Sequence, residues 1–442
     1  MHRETLAQTE HDGRHGAAAA VTADVAIVGA GLIGATLAVA MGSAGVRVAV
    51  IDRLPGSAQV APTFDGRTTA IAHGSRRALE AIGVWHHLAR HAEPIRDIRI
   101  SDGRLDPGGG PAPVSPLHLH FDHRQAARHD EAVTPMGHIV ENRHIRAALF
   151  RRLEDLSTVS VLAPAELATA VRDDSEARIT LTDGRCIRAA LLVSAEGRGG
   201  MLREQAGIRL HRAGYSQTAI VVTAEHELAH RGVAQEKFLP AGPFAILPMT
   251  DDPATGAHRS SIVWTERAEL VPTLLRLPEA AFQREFARRF GEHLGAVKAV
   301  GPRFSYNLSV QTAERLVAPR LALVGDAAHG IHPIAGQGWN LGLRDTAALA
   351  EVVVDAYRLG LDIGHASVLA DYERWRRVDG LAMIGATDGL NRLFSNDIGP
   401  LRLVRDVGLA TVNRLPPLRR FFMRHAMGIV GDLPRLVKGE AL

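Results

Sequence analysis

The sequence predicts an α/β fold in which a β-α-β unit opens the chain, a β-rich segment is inserted, and helices close it. Three observations predict this. Asp24 to Asp52 reads as a complete β-α-β pattern. Thr218 to Glu266 breaks into short alternating segments (TAIVVTAE, KFLP, FAILPM, SSIVWTE) separated by Gly, Pro and Asp, as in an antiparallel sheet. Beyond Asp371 the pattern is helical to the end.

In the opening unit, VAIVG is a buried strand, LIGATLAVAMGSAG a helix and VRVAVID a second strand ending in Asp52. Gly29, Gly31 and Gly34 form the GxGxxG turn between strand and helix. Gly29 permits the tight turn, Gly31 lets backbone approach a pyrophosphate, and Gly34 lets the helix pack on the strand. Asp52 is placed to take a ribose hydroxyl. A lone GxGxxG is weak, but the flanking strand, helix and acid point to dinucleotide binding.

Residues 1–22 are polar and rich in Ala and His, and are expected to be a disordered lead-in and not a signal peptide. Phe64 to Trp85 is expected to be a loop feeding a helix, with Arg67 near a phosphate or a flavin edge. Ile95 to Ser101 alternates as a strand, and Asp102 to Pro116 is rich in Gly and Pro, a loop. His118, His120 and His123 in LHLHFDH have the spacing of metal ligands. Plain alternation in a half-exposed strand gives the same spacing, and no metal is assigned. GHIVENRHIRAALFRRL is a strand entering a helix, and Asp183-Gly184 joins two strands as a hairpin. Cys186, the single cysteine, reads as a small core residue, which excludes an intrachain disulfide. In the alternating region, Phe238, Phe244, Ile246 and Trp264 are placed either to wall a substrate cavity or to form core. Glu279 to Leu294 is a helix and Arg303 to Gln311 a strand.

LALVGDAAHGIHPIAGQGWNLGLRD, residues 321–345, is the second cofactor-facing stretch: an apolar strand, Asp326, a Gly-rich turn and a helix. His329 and His332 form an HxxH, read here as hydrogen-bonding or structural residues. No second GxGxxG follows a strand, so a nicotinamide cofactor has no stable domain of its own. One long cofactor held at both ends fits: the ADP of FAD at Gly29–Gly34 and Asp52, its ribityl and isoalloxazine at Asp326 and the 336–342 loop.

Residues 401–442 carry eight Lys and Arg against three Asp and Glu. LRRFFMRHAMGIV adds Phe and Met to that basicity, as an interfacial helix or one docked on the core. The formal charge of +3 over 442 residues gives no support to nucleic-acid binding. No run of about 18 apolar residues occurs that would span a membrane.

Through GAGLIG, FDGRTTAIA, PIRDIRISDG, GHIVENRHIRAAL, SSIVW and GDAAHGIHPIAGQGWNLGLRD, the chain from about residue 22 resembles the group A flavoprotein aromatic hydroxylases. Within them it is similar to the ubiquinone-biosynthesis hydroxylases of the UbiH type. The resemblance implies a Rossmann-like FAD domain of the p-hydroxybenzoate-hydroxylase type (23–95, 137–215 and 305–370), a substrate domain (96–136 and 216–304) and a helical C-terminal region (371–442). It implies that Gly29, Gly31, Gly34 and Asp52 hold ADP, that Arg67 lies near the flavin, and that Asp326 meets the ribityl chain. Gly338, Asn340 and Leu341 would present backbone N–H groups to the pyrimidine edge, and Pro333 would face flavin and substrate. Glu196-Gly197 stands where the family has Asp-Gly, and Gly200 where a serine is common, which puts that loop's contact to pyrophosphate or NAD(P)H in question.

The implied reaction is hydroxylation of a polyprenylated phenol by O₂ through a C4a-hydroperoxyflavin, with NAD(P)H as transient donor. Such a lipid substrate implies a membrane surface or a lipid-carrying partner, in a cytoplasmic protein peripheral to the inner face of the membrane. The alternatives are a hydroxylase of small soluble aromatics, a non-catalytic FAD-stabilised member of a biosynthetic assembly, and a prenyl-chain reductase. Neither the oligomeric state nor the hydroxylated carbon follows from the sequence.

Overall fold

A computed structural model describes residues 21–61, 65–103, 110, 114–127, 131–331, 336–394, 408 and 411–442. Apolar runs at the predicted places become the centre of a largely parallel sheet. Val21–Val28 pairs in parallel with Val48–Ile51 on one side and Cys186–Ser194 on the other. Leu321–Leu323 and Val159–Leu162 extend the two edges in the same sense. Strands covered on both faces need apolar residues throughout, and Val25, Ile27, Leu191 and Leu321 are fully buried. Helix Leu32–Ser43 is buried from Gly34 to Gly42, which explains its nearly all-apolar composition. The N-terminal boundary moves: Val21 and Thr22 are strand, paired with Ile187 and Arg188, because edge hydrogen bonds tie them down. Residues 1–20 lie outside the described residues.

A second eight-stranded sheet carries the alternating region. It runs in the order 329–330, 297–313, 210–226, 258–267, 242–249, 233–239, 97–103, 114–122. It is antiparallel except for Val233–Leu239 beside Asp97–Gly103, which is parallel. Two of its strands, Leu210–His226 and Val297–Ala313, are each 17 residues long. They run unbroken through the domain limits expected near 215 and 304. Register shifts at Gly214/Thr218 and Val221/Thr223 bend the pair without ending it.

Three expectations are corrected and one open alternative is decided. Thr68–Ala72, read as loop, is a strand paired antiparallel with Gly137–Glu141 in a three-stranded sheet whose other edge is Glu93–Ile95. Its TTAIA run is short and has no alternation to declare it. Asp102 and Gly103 belong to a strand, and Val114–Asp122 begins before the expected end of the loop. Cys186 is exposed, because it stands at the free start of its strand. Of the two readings left open for the aromatics, core holds for Phe244 and Trp264: they pack with Phe282, Phe286 and Phe290 of helix Glu279–Phe290. Arg289 lies 4.3 Å over the Trp264 ring and meets Glu266 at 3.3 Å, with both ions buried.

The C-terminal region is part of the core. Helices Ala366–Phe394, Pro416–Ala426 and Arg435–Lys438 follow one another. Met423 and Met427 are buried among Leu119, Phe121, Ile139 and Phe238. The Gly74 N–H donates to the Met427 carbonyl at 2.9 Å. A side chain at Gly74 would come within 2.7 Å of the Gly428 carbonyl, so only glycine permits that approach.

Two histidines of the three-stranded layer give the fold a pH dependence. Burial, then the charge of Arg76, push His73 and His138 down to about 4 from 6.5. Folded-state values below the unfolded value mean that the unfolded chain binds more protons between these limits. Stability is therefore complete above about pH 6.5 and is lost as pH falls towards about 4. The urea midpoint is expected to drop between roughly pH 7.5 and pH 5, and to drop less in His138→Asn. A midpoint independent of pH would contradict this.

Candidate cofactor site

Two helix N-termini converge at the site. Gly29, at φ +104°, turns the chain from the first strand into helix Leu32–Ser43. A side chain at Gly29 would lie 2.5 Å from the Ala195 carbonyl, and one at Gly34 would lie 1.8 Å from the Gly29 carbonyl. Gly31 differs: a side chain there would meet no protein atom within 4 Å. Gly29 and Gly34 are thus demanded by packing, and Gly31 by the space in front of it. That space is a trough of about 900 Å³, lined by Gly29, Gly31, Asp52, Arg53, Gln59, Arg67, Asn142, Arg146, Glu166, Glu196 and Gly199 among others. Ala35 makes the first intrahelical bond, to the Gly31 carbonyl at 2.9 Å. The N–H groups of Leu32, Ile33 and Gly34 therefore have no helical acceptor, and with the helix dipole they form an anion site.

Asp52 sits where its strand ends, and its carboxylate accepts from the Ala30 N–H at 2.6 Å and the Leu54 N–H at 2.8 Å. It buttresses the glycine turn while lining the trough. Arg67 pairs with Asp65 at 2.7 Å, and Arg146 reaches the same carboxylate at 3.2 Å. Burial works against the Asp65 charge, but the two guanidiniums outweigh it and hold the group below the usual carboxylate range. Arg146 also donates to the Gln59 carbonyl at 3.1 Å, so it ties Gln59 and Asp65 on the trough wall to helix Asn142–Glu154. The sequence reading missed Arg53, Gln59, Asn142, Arg146 and Glu166. Arg146 stands on a helix entered from another sheet, and no local pattern announces where that helix docks.

Glu196 lines the trough but spends its carboxylate elsewhere. It accepts from the Ser194 hydroxyl at 2.8 Å and from the N–H groups of Met201 and Leu202, both at 3.1 Å. It therefore caps helix Met201–Gln205, an extra methylene letting it reach around the turn.

The second group lies along residues 321–345. Asp326 stands on a 3₁₀ turn after Leu321–Leu323, and Arg198 donates to its carboxylate at 3.2 Å. Asp326 is not among the trough residues; the loop carrying Glu196 and Arg198 joins the two. Gly338 opens the helix Gly338–Arg358. Asn340 is buried: its side-chain oxygen accepts from the Ala72 N–H at 2.9 Å, and its amide donates to the Ala70 carbonyl at 2.8 Å. Helix Gly338–Arg358 is thereby tied to the strand that follows Arg67. Leu341 is corrected as a donor to the ligand. Its N–H donates to the Gln337 carbonyl at 3.0 Å, so the N–H groups without a helical acceptor are those of Gly338, Trp339 and Asn340. Pro333 and His332 lie outside the described residues. Side chains at Gly325 and Gly342 would come within 3.1 Å and 2.7 Å of Ile33, so the second turn packs directly on the first helix.

Beneath this turn Asp345 is fully buried and accepts from the Gly325 N–H at 3.1 Å, His329 Nε2 at 2.8 Å and Arg376 Nε at 2.8 Å. Burial opposes its charge, and His329 and Arg376 outweigh that and lower its pKa. His329 is thus a structural partner. In the LHLHFDH segment, His120 pairs with Asp97 at 2.7 Å, His123 with the Arg96 carbonyl at 2.9 Å, and Asp122 with Arg124 at 2.6 Å. Among the described residues no group of three or more His, Cys, Asp or Glu is placed to hold a metal ion.

A glycine cradle open to a trough, two helix N-termini and a strand-end carboxylate are the donor set that a dinucleotide requires, and the residues fit FAD. The two glycines separate packing from binding. Gly34→Ala must displace the Gly29 backbone and is expected to cost about 1–3 kcal/mol of stability. Gly31→Ala should keep the melting temperature of the cofactor-free protein and weaken FAD about tenfold or more, because its new methyl group faces the ligand. Fluorescence titration of the cofactor-free variants with FAD checks this, and equal FAD affinity in Gly31→Ala would contradict it.

Comparison with known proteins gives the same picture. The FAD binding domain pattern matches residues 22–384. Ubiquinone hydroxylase UbiL of Rhodospirillum rubrum is 53% identical over 95% of this chain and 94% of its own length. The 3-demethoxyubiquinol 3-hydroxylase of Escherichia coli is 32% identical, covering 92% of this chain and 98% of its own. Among solved structures, p-nitrophenol 4-monooxygenase PnpA from Pseudomonas putida superimposes with a TM-score of 0.74 over 92% of this chain and 98% of its own, at 19% identity. That likeness establishes the shared fold.

Proposed function

The chain belongs to the FAD-binding family that contains the ubiquinone hydroxylases, and from that premise we propose that it is an FAD-dependent monooxygenase of ubiquinone biosynthesis. It hydroxylates the aromatic ring of a polyprenylated phenol, with O₂ as oxygen source and NAD(P)H as transient electron donor. The observation that carries this reading is the convergence of the trough at Gly31 and the turn at Asp326 on one loop, in a chain 53% identical to a ubiquinone hydroxylase. A two-point clamp of this kind suits one long cofactor, with its redox end away from its nucleotide end.

Bound FAD supplies the activation of O₂ and the transfer of one oxygen atom to an electron-rich ring. The chain supplies the rest. Gly31 and the first N–H groups of helix Leu32–Ser43 bind the pyrophosphate, and Asp52 takes a ribose hydroxyl. Asp326 orients the ribityl chain. The N-terminus of helix Gly338–Arg358, with roughly half a positive charge, holds negative charge at the pyrimidine edge. No side chain is required as nucleophile; the protein excludes water and holds the ring in line. Glu196 is occupied as a helix cap, so its replacement of the family's aspartate is a change in how the loop is built. It gives no support to a non-catalytic role.

A polyprenyl tail gains about 0.8 kcal/mol for each CH₂ removed from water, so its enzyme must meet a lipid surface or a lipid-carrying partner. Among the described residues no helix is long and apolar enough to cross a membrane. Helix Pro416–Ala426 is the proposed contact. Met423 faces the core, while Phe421 and Phe422 remain 52% and 42% exposed beside Arg419 and Arg420. Deletion of the tail would strip the core of Met423 and Met427, so point substitutions are the cleaner probe.

With FAD, NAD(P)H, O₂ and a polyprenyl phenol, the product is expected to gain one oxygen atom by mass spectrometry, with label from ¹⁸O₂. Reduction without oxygen gain would favour a reductase, and no turnover with bound FAD would favour a scaffold. Phe421→Ser/Phe422→Ser is expected to lower co-sedimentation with vesicles containing anionic lipid severalfold while the melting temperature holds. Unchanged co-sedimentation would remove this helix as the contact.

A further inference from the structure

We propose that Arg198 is a positioning residue for the cofactor, holding the Asp326 carboxylate in the orientation that receives a cofactor hydroxyl. The observation is a closed ring of hydrogen bonds that reaches Asp326 from two directions. On one side, Arg198 Nε donates to Asp326 Oδ2 at 3.2 Å, while its Nη1 donates to the Ser309 hydroxyl at 2.6 Å and carbonyl at 3.2 Å. On the other, Gln311 Nε2 donates to the Asp326 carbonyl at 2.8 Å. Arg212 closes the ring, donating to Gln311 Oε1 at 2.8 Å and to the Arg198 carbonyl at 3.3 Å.

Charge alone does not account for this arrangement. Arg198 and Asp326 are 37% and 45% exposed, and an ion pair that open contributes little to stability. Geometry is what the ring provides. Gln311 is fully buried, so it fixes the backbone of the turn, and Ser309 fixes the guanidinium that meets the carboxylate. A side chain at Gly330 would come within 3.1 Å of Arg198 Nη2, so glycine leaves room for the guanidinium to lie across the turn. The exposed sides of both groups are then free for a ligand.

The same loop supplies the contrast. Glu196, the residue of that loop expected to meet cofactor, is turned back onto helix Met201–Gln205. Arg198, two residues on, is the side chain of the loop that reaches the cofactor turn. Ser309, Gln311 and Arg212 stand on the two long strands shared with the substrate sheet. The ring therefore links the substrate sheet to Asp326 as well as the loop to the turn.

The proposal rests on Asp326 being a ribityl contact and does not depend on the reaction. The experiment titrates FAD into cofactor-free full-length protein and follows flavin fluorescence, with the melting temperature of the cofactor-free form measured in parallel. Arg198→Gln is expected to raise the FAD Kd about tenfold, the scale of one charge-assisted hydrogen bond, with a melting temperature within about 1 °C of wild type. Arg198→Lys, which keeps the charge, should stay within about threefold. Arg209→Gln, an exposed partner of Glu314, serves as control. Because Arg198 acts through Asp326, Arg198→Gln/Asp326→Asn should bind no more weakly than Asp326→Asn alone. An unchanged Kd in Arg198→Gln would overturn the proposal. So would additive losses in the double variant, or a loss that tracks the melting temperature in Arg198→Lys as well. A wild-type protein that holds FAD but leaves the phenol unoxidised counts against the reaction and not against Arg198.

Discussion

The turn and helix proposed to hold the flavin depend on one buried carboxylate. Asp345 has no exposure to water and meets a backbone N–H and an imidazole from the 325–330 turn and a guanidinium from helix Ala366–Phe394. A charge in that position is tolerated only while all its partners stay in place; removing one partner of a buried pair typically costs about 3–5 kcal/mol. The 325–330 turn, helix Gly338–Arg358 and helix Ala366–Phe394 are consequently held as a unit. Arg376 carries the constraint outward to Asp379, and Arg344 joins that acid at 3.2 Å. Tyr372 adds a hydrogen bond to the Leu323 carbonyl at 2.7 Å. Asp326 can be aimed because the turn beneath it cannot shift.

The second constraint is continuity of the sheets. Gln311 and Thr312 pair with Gly330 and His329, so the turn after Asp326 runs into the edge strand of the second eight-stranded sheet, the proposed substrate side. Strands Leu210–His226 and Val297–Ala313 carry that sheet across what the sequence divides into two domains. Thr68 and Ser261 join hydroxyls at 2.9 Å, and Arg259 reaches Glu141 at 3.4 Å, tying the three-stranded layer to the same sheet. The proposed cofactor and substrate sides are therefore joined by continuous hydrogen bonding. The C-terminal chain is built into the fold: Arg435 pairs with Glu351 and Asp355 on helix Gly338–Arg358, and Met423 fills the core beside the three-stranded layer.

Legibility followed the range of the interactions. The first β-α-β unit was readable throughout, because tight turns, buried strands and close helix packing each select residue types locally: Gly29, Gly34 and the apolar run Val25–Val28. The hairpin at Asp183-Gly184 and the helix at Glu279 were readable for the same reason. Strand Thr68–Ala72 was not, since its pairing partners come from residues 137–141 and its own five residues carry no period. The aromatics of the substrate sheet were ambiguous because a cavity wall and a core face use the same alternation. Helix Glu279–Phe290 settled it by filling the space with three phenylalanines.

The sequence by itself determined the cofactor class and marked the two stretches proposed to hold it, because glycine turns, strand-end acids and helix starts are local requirements written in adjacent residues. Only the tertiary structure decided what each polar side chain does there. Glu196 became a helix cap, the Leu341 N–H a helix bond, and Asn340 a bridge to the Ala70–Ala72 strand. Arg198 and Arg146, which no local motif marked, became the guanidiniums that hold the turn and the wall. The physical reason is that a hydrogen-bonding side chain has several acceptable partners. Which one it meets is set by elements distant in sequence that packing brings within about 3 Å.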